Sequence, residues 1–179
     1  MNRQLGQAGN TAVGNGALLN NTSGNDNVGM GRSALINNTT GSHNTSLGRS
    51  SLFANTTGNN NTAVGSNALQ ANTTGTENTS TGHGSLYYNT TGSYNTASGY
   101  RGLYSNTTGT FNTAVGYASL NKSTTADSST ACGSYALQEN TTGQENSAFG
   151  NTALNKNTTG NFNSACGRGS LYNNTTANY

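Results

Sequence analysis

The chain has 179 residues with only five acidic and seven basic side chains, so its formal net charge is +2. Hydrophobic residues make up 30% of it and charged residues 7%, whereas soluble domains usually contain about 45–50% and about 25%. This composition argues against a globular enzyme with a thick core, and the weak charge gives no indication of nucleic-acid binding. Disordered tracts are typically rich in charge and proline, but this chain has no proline.

Residues 1–9 form a partial leading repeat, and residues 10–179 repeat every 17 residues without insertion or deletion. The unit reads Asn-Thr-Ala-Val-Gly-x-x-Ala-Leu-x-x-Asn-Thr-Thr-Gly-x-x. A fixed period is the signature of a stacked repeat architecture. The unit is too short for paired-helix repeats, which need about 33 residues, and Gly, Asn and Thr are poor helix formers. The period therefore predicts an all-β fold, a single β-solenoid (β-roll) of ten coils.

Each coil is predicted to contain two short strands, for example Asn61–Gly65 and Ala68–Thr74. A glycine at the end of each strand would supply a corner with positive φ, which glycine adopts without strain. Alternation in the first strand places Thr62 and Val64 on one face and Ala63 on the other. The Ala63 column contains only Ala, Gly and Ser along the chain. It predicts either a very flat coil or close contact with a neighbouring chain.

One corner departs from the repeat over residues 121–131, where Ser123 replaces Asn and Ala126 replaces Gly. The period continues through it, so we interpret it as a local irregularity within one solenoid. Cys132 and Cys166 lie two repeats apart in the Val column, which would separate their Cα atoms by about 9–10 Å. Because a disulfide needs less than about 7 Å, both are predicted to be free thiols that serve as small apolar fillers.

The unit, as at Asn10–Leu18, Asn61–Leu69 and Asn112–Leu120, resembles the head repeats of trimeric autotransporter adhesins. With its Asn-Thr-Thr-Gly segment, it is also similar to the repeat arrays of phage tail fibres and of bacterial tail-fibre-like surface proteins. The resemblance covers nearly the whole chain. It implies a left-handed β-roll, three chains side by side, and a role as fibre shaft or adhesive head.

Two adjacent columns of Thr lie at the end of the second predicted strand, as at Thr73 and Thr74. Neighbouring residues in a strand face opposite ways, so one column should face solvent as a flat hydroxyl array suited to sugars or ice. The alternative is that the hydroxyls satisfy neighbouring coils. A structural role, hydrogen bonding from coil to coil, is predicted for the Asn column that begins at Asn10. The candidate surface-binding ladder is Thr22, Thr39, Thr56, Thr73, Thr90, Thr107, Thr124, Thr141, Thr158 and Thr175.

Aromatic residues occupy positions that vary while the repeat frame stays constant, so they are expected to be exposed. Exposed tyrosine can stack on sugars or line a protein contact. Alternatively, these rings shield the apolar edge of a neighbouring chain. The candidate contact residues are Tyr87, Tyr94, Tyr100, Tyr104, Phe111, Tyr117, Phe162 and Tyr172.

Residues for acid–base or metal chemistry are not grouped in the repeat. His43 and His83 fall at different positions of the unit, and the five acidic residues form no evident pair or cluster. We therefore expect no enzymatic activity, no cofactor and no metal.

The sequence predicts an extracellular, trimeric, non-enzymatic fibre segment: the shaft or receptor-binding part of a viral tail fibre or a bacterial surface adhesin. Its expected partners are further copies of itself and a host glycan or surface receptor. No apolar run approaches the 18 or so residues of a transmembrane helix, so no membrane insertion is expected. Two alternatives remain open. One is a subunit of a head-to-tail extracellular filament, because neither end matches a capped repeat; the other is an ice-binding protein that uses a flat Thr/Asn ladder.

Overall fold

The computed structural model describes residues 9–178, in which the chain winds into a β-solenoid with one three-residue strand in each coil. The strands form one ten-stranded sheet in sequence order, each parallel to the next. They are β1 Thr11–Val13, β2 Val28–Met30, β3 Thr45–Leu47, β4 Thr62–Val64, β5 Thr79–Thr81, β6 Thr96–Ser98, β7 Thr113–Val115, β8 Thr130–Cys132, β9 Ser147–Phe149 and β10 Ser164–Cys166. The predicted β-solenoid is confirmed. All but Gly9 of the partial leading repeat lies outside the described residues.

The coils stack in register, because each strand residue pairs with the residue one period later. Thr62, for example, pairs with Thr79. The register also continues through the irregular corner, where Thr113 pairs with Thr130. Residues at the same position of the repeat therefore form a column along the rod.

The prediction of a second strand is wrong for the described coils, because residues 66–71 form a turn and no residue of 68–74 belongs to a strand. Its leucine, Leu69, has a φ of 50°, and the equivalent leucines all lie between 47° and 50°. Strands require negative φ, so a left-handed leucine cannot continue one. The turn is closed within the coil by the amide of Asn72, which donates to the carbonyl of Leu69 at 3.2 Å. The leucine amide still donates to the next coil, to Ser85 O at 3.0 Å.

The interior is thin and is filled by facing columns of alanine and leucine. In β4, Ala63 points inward and is fully buried, while Thr62 and Val64 point outward. Opposite the strands, the leucine column is buried from end to end of the stack except at its last member. A methyl group added at Gly29 would lie 3.3 Å from Cγ of Leu18, so a larger side chain has no room. The flatness of the coil within one chain thus explains the strictly small column.

Two columns of buried asparagine complete the interior. Asn78 Nδ2 donates to Gly92 O at 2.8 Å and to Asn61 Oδ1 at 3.2 Å. In the second column, Asn72 Nδ2 donates to Asn55 Oδ1 at 2.9 Å. Buried polar groups need such partners, and here the partners are supplied by the neighbouring coil. The coil-to-coil hydrogen bonding predicted for the first asparagine column is confirmed.

The two glycine columns have different roles. Gly65 has a φ of 134°, which confirms the predicted positive-φ corner after the strand. Gly41, in the other column, does not have a left-handed φ, so that prediction is wrong there. A methyl group at Gly41 would instead lie 2.5 Å from Oδ1 of Asn38. The second glycine therefore leaves space for the asparagine ladder.

Candidate functional site

The predicted threonine ladder contributes hydrogen bonds between coils. Every hydroxyl in it from Thr22 to Thr158 donates to the main-chain carbonyl oxygen one period later, at 2.9–3.2 Å. The neighbouring column is the one exposed to solvent, and it is called the Thr40 column below. Its members are Ser23, Thr40, Thr57, Thr74, Thr91, Thr108, Thr125, Thr142, Thr159 and Thr176. Surface binding by the Thr22 ladder stays a prediction. Its hydroxyl hydrogens are already donated to carbonyl oxygens of the next coil.

The outward residues of the ten strands form a narrow surface without charged side chains, called the sheet face below. One of its columns contains Thr11, Val28, Thr45, Thr62, Thr79, Thr96, Thr113, Thr130, Ser147 and Ser164. The other contains Val13, Met30, Leu47, Val64, Thr81, Ser98, Val115, Cys132, Phe149 and Cys166. The apolar members Val13, Met30, Val115 and Phe149 are 39–47% exposed.

Both cysteines lie on the sheet face. Cys132 and Cys166 are free thiols, as predicted. They lie in the Val column as predicted, but they are exposed, so they do not act as fillers between packed side chains of this chain. The residue between them in the column is Phe149.

The charged residues of the described chain lie on the other sides of the coil. They are Asp26, Arg32, Arg49, Glu77, Arg101, Lys122, Asp127, Glu139, Glu145, Lys156 and Arg168, and the histidines His43 and His83 lie there too. Lys122 Nζ lies 2.6 Å from Glu139 Oε2 in the next coil, and His43 Nδ1 lies 3.8 Å from Asp26 Oδ2. Such exposed pairs contribute little, about 0–1 kcal/mol.

Four of the eight candidate aromatic residues meet at one side of the rod. Tyr87, Tyr100, Tyr104 and Tyr117 lie together, whereas Tyr94 and Phe111 stack separately on another edge, with ring centroids 4.8 Å apart. Phe162 and Tyr172 are exposed further along the rod. The aromatic patch, as it is called below, consists of His83, Tyr87, Tyr88, Tyr100, Arg101, Tyr104, Tyr117 and Tyr135.

One part of the aromatic patch is a stack along the rod axis. His83 and Tyr100 have ring centroids 5.5 Å apart and planes 13° apart. Tyr100 and Tyr117 are 5.1 Å and 14° apart. These separations follow from the coil spacing of about 4.8 Å. Tyr135, one position out of the column, is turned by 65° from Tyr117 at 5.2 Å.

The other part of the patch is a group of three tyrosines. Tyr87 stacks on Tyr104 at 5.2 Å. Tyr88 lies beside both rings, 4.7 Å from Tyr87 and 5.2 Å from Tyr104, with its plane turned by 72° and 82° from theirs. Burial raises the pKa of the Tyr104 phenol, and the hydrogen bond with Tyr88 raises that pKa further.

Arg101 joins the two parts of the patch. Its guanidinium carbon lies 5.2 Å from the ring centroid of Tyr100 and 4.9 Å from that of Tyr104, within the range of cation–π attraction. Neither of the two ion pairs formed by residues 9–178 includes Arg101. Its positive charge is therefore held by aromatic rings rather than neutralised by a carboxylate.

Sequence reasoning missed four members of the patch. His83 lies one period before Tyr100, and this spacing alone would have placed it in the stack. Tyr88 follows Tyr87 directly and could have been included on that ground. Arg101 and Tyr135 share one column, which directly follows the column of Tyr100, and could have been included on that ground.

Among the described residues, no group of three or more His, Cys, Asp or Glu side chains is placed to hold a metal ion. The part of the chain that the structure describes has no membrane-spanning helix. Comparisons with protein-family models, curated proteins and solved structures found no match. Function is therefore inferred from the surface of the rod itself.

Proposed function

We propose that this chain is a non-catalytic segment of an extracellular fibre, either its shaft or its adhesive head. In this proposal three copies pack side by side through the sheet face. The observation that carries it is the sheet face, a charge-free surface that exposes Val13, Met30, Val115 and Phe149 along the described rod. Exposed apolar side chains on one face are typical of interaction sites in soluble proteins, and here they form two groups in the column, separated by Thr81 and Ser98.

The dimensions of the sheet face favour three chains over two. Ten strands of three residues cover about 45 Å by about 10 Å, or about 450 Å². A stable two-chain interface usually buries about 800 Å² per partner, so face-to-face pairing of two such sheets would be small. Around a threefold axis each chain also buries surface on both flanks of the sheet. A thin core of this kind is stabilised by such association.

Solution mass tests the association. Light scattering should give three times the mass of the chain, and a monomer would overturn the trimer. A mass that grows with concentration would instead indicate the head-to-tail filament. Val115→Glu, which puts a charge on the sheet face, should dissociate the trimer. Thr108→Glu, which puts the same charge on the exposed Thr40 column, should leave the mass unchanged.

The natural cysteines provide a second test. In a parallel trimer the exposed thiols at Cys132 and Cys166 would each meet their copies near the axis. Mild oxidation should then yield disulfide-linked chains, and loss of both thiols should abolish them. A control chain with both cysteines replaced by serine and with Thr74→Cys should stay uncrosslinked.

Ice binding is a second candidate, favoured by the regularity of the Thr40 column, which is exposed along residues 23–176 with a single serine. The sheet face is less suited, since Met30 and Phe149 make it uneven. Thermal hysteresis of the purified chain tests this candidate. Any hysteresis should be lost in Thr91→Tyr and retained in Val115→Tyr, whose substitution lies on the sheet face.

A further inference from the structure

We propose that the aromatic patch is a binding site for an acidic oligosaccharide, a sugar chain bearing carboxylates, which lies along the rod. This inference rests on the adhesive role proposed above and names the ligand class for it. It does not require the trimer.

The patch is not needed to build the coil. In the column of Tyr100 and Tyr117, the flanking repeats have Ser66 and Ser134 with the same strand register. In the column of Tyr104, other repeats have polar side chains such as Gln138. The rings of the patch lie in a few successive coils, and the fold accepts polar residues in their place elsewhere, although Phe53 and Tyr172 also occur in the Tyr104 column. Residues that the frame does not require are candidates for recognition.

The rings of the patch present two kinds of surface. In the stack of Tyr100 and Tyr117 the faces cover each other, so the edges and hydroxyl groups are turned outward. Tyr88 and Tyr135 are rotated out of the stacks and are 48% and 36% exposed. A sugar has a similar pairing of an apolar CH face with hydroxyl groups, and a tyrosine offers both a ring face and a donor–acceptor hydroxyl.

Arg101 gives the site its preference for an acid. A guanidinium group matches a carboxylate with two parallel N–H···O bonds. Its contacts with Tyr100 and Tyr104 hold the side chain in place, so less conformational entropy is lost when the carboxylate binds. No carboxylate of the described residues occupies this position through an ion pair with Arg101. The guanidinium is therefore available to pair with a carboxylate of a ligand.

The arrangement fits an extended sugar chain better than a nucleic acid. Nucleic-acid affinity requires several phosphate contacts by basic residues, and Arg101 is the single guanidinium in the patch. The hydroxyls of successive coils, in contrast, repeat at about 4.8 Å along the axis. They can engage successive units of an oligomer that runs parallel to the rod.

The test uses a hexuronic acid oligomer as the probe, with a neutral glucan of the same length for comparison. Calorimetry with the whole chain should detect binding of the hexuronate and weaker binding of the glucan. Arg101→Asn should weaken hexuronate binding about tenfold or more and remove its preference over the glucan. Tyr88→Ala should weaken binding of both. Asn67 and Ala71 already occupy these two positions in another repeat, so the fold should accept both changes.

Two matched controls lie outside the patch. Arg49→Asn removes an arginine from a column that contains Asn151, and Phe111→Ser removes a ring from a column that contains Ser128. Both should bind the hexuronate as the natural chain does. Absence of hexuronate binding, or equal binding by Arg101→Asn, would overturn the inference. Light scattering on the same samples separates the two proposals, because a trimer that binds no hexuronate refutes only the sugar site.

Discussion

Ala126 and Ser123 compensate for each other within one corner of the solenoid. Ala126 stands where the other coils have glycine, except for Ala177 in the last coil. A methyl group at the equivalent Gly143 would lie 2.4 Å from the carbonyl oxygen of Gly160 and 2.5 Å from Oδ1 of Asn140. In the irregular coil that asparagine is replaced by the shorter Ser123, which removes the contact between the methyl group and the amide oxygen and leaves the one with the carbonyl of the next coil. The exchange interrupts the ladder, because the buried Asn106 Oδ1 and Ser123 Oγ have no hydrogen-bond partner.

We expect the two positions to be energetically coupled. Ser123→Asn alone should destabilise the chain by about 1–3 kcal/mol, because the amide is forced against the methyl of Ala126. Ala126→Gly alone should cost about 0.5–1 kcal/mol through a more flexible unfolded chain. The double variant restores a partner for Asn106 Oδ1 and should be at least as stable as the natural chain. Urea unfolding of all four proteins measures the coupling, expected at about 1–3 kcal/mol.

A regular coil provides the reverse experiment. Gly75→Ala should destabilise the chain, and Asn72→Ser in the same protein should recover part of the loss. Purely additive effects of the two changes would contradict the compensation.

The leucine column should discriminate between two substitutions of similar volume. Leu86 is fully buried with a φ of 50°. Leu86→Met should cost less than about 1.5 kcal/mol. Leu86→Ile should cost more, by about 1–3 kcal/mol of backbone strain, because β-branched residues are outliers at positive φ. Denaturant unfolding should show this order, while Leu47→Ile in strand β3 should be nearly neutral.

The period of the sequence was sufficient to predict the stacked coils, their columns and the coil-to-coil asparagine bonds. It could not predict the left-handed leucine. A turn at Leu69 contradicts the intrinsic preference of leucine, and only the buried column that the turn creates compensates for it. Tyr94, with a φ of 60°, is held left-handed by the same stacking.

The aromatic patch, too, could be predicted only in part from the period of the sequence. Rings of one column, such as Tyr100 and Tyr117, can be placed together from spacing alone. The contact between Arg101 and Tyr104 joins different columns, and it depends on the cross-section of the coil. That cross-section is set by the left-handed turn, which the sequence pattern does not reveal.

Adjacent threonines should differ in their contribution to stability. Thr73 Oγ1 donates to Thr90 O at 3.0 Å, whereas Thr74 is exposed. Thr73→Val should cost about 0.5–1.5 kcal/mol through loss of the hydrogen bond. Thr74→Val should stay within about 0.5 kcal/mol of the natural chain. Thermal unfolding compares the two, and equal losses would show that the hydroxyl bond contributes nothing.

A buried carboxylate in the asparagine ladder should make stability depend on pH. Asn78 Nδ2 faces two acceptors, Gly92 O and Asn61 Oδ1, so Asn78→Asp would place a carboxylate oxygen against both. Burial and these acceptors would raise its folded pKa above the usual value of about 3.9. The variant should therefore be most stable below about pH 4 and lose stability as pH rises through the folded pKa. Thermal unfolding from acid to neutral pH should show this loss, and the exposed variant Asn151→Asp should not.

The phenol of Tyr104 in the aromatic patch should ionise late in an alkaline titration. Burial is the main cause of the raised pKa of Tyr104, the hydrogen bond with Tyr88 adds to it, and the charge of Arg101 opposes it. A raised folded pKa favours the neutral phenol, so this contribution to stability is complete below about pH 10. It is lost as pH rises through the folded pKa. Phenolate absorbance during the titration should show a late-ionising group that is separate from exposed tyrosines.

Two variants should move that late group in opposite directions. Tyr88→Ala removes a neighbour that raises the pKa of Tyr104 and should bring its ionisation to lower pH. Arg101→Asn removes the opposing positive charge and should delay ionisation further. Tyr94→Phe, which removes a phenol outside the patch, should leave the late group in place. A shift in the same direction for Tyr88→Ala and Arg101→Asn would contradict the arrangement in which Tyr88 and Arg101 act on one phenol with opposite sign.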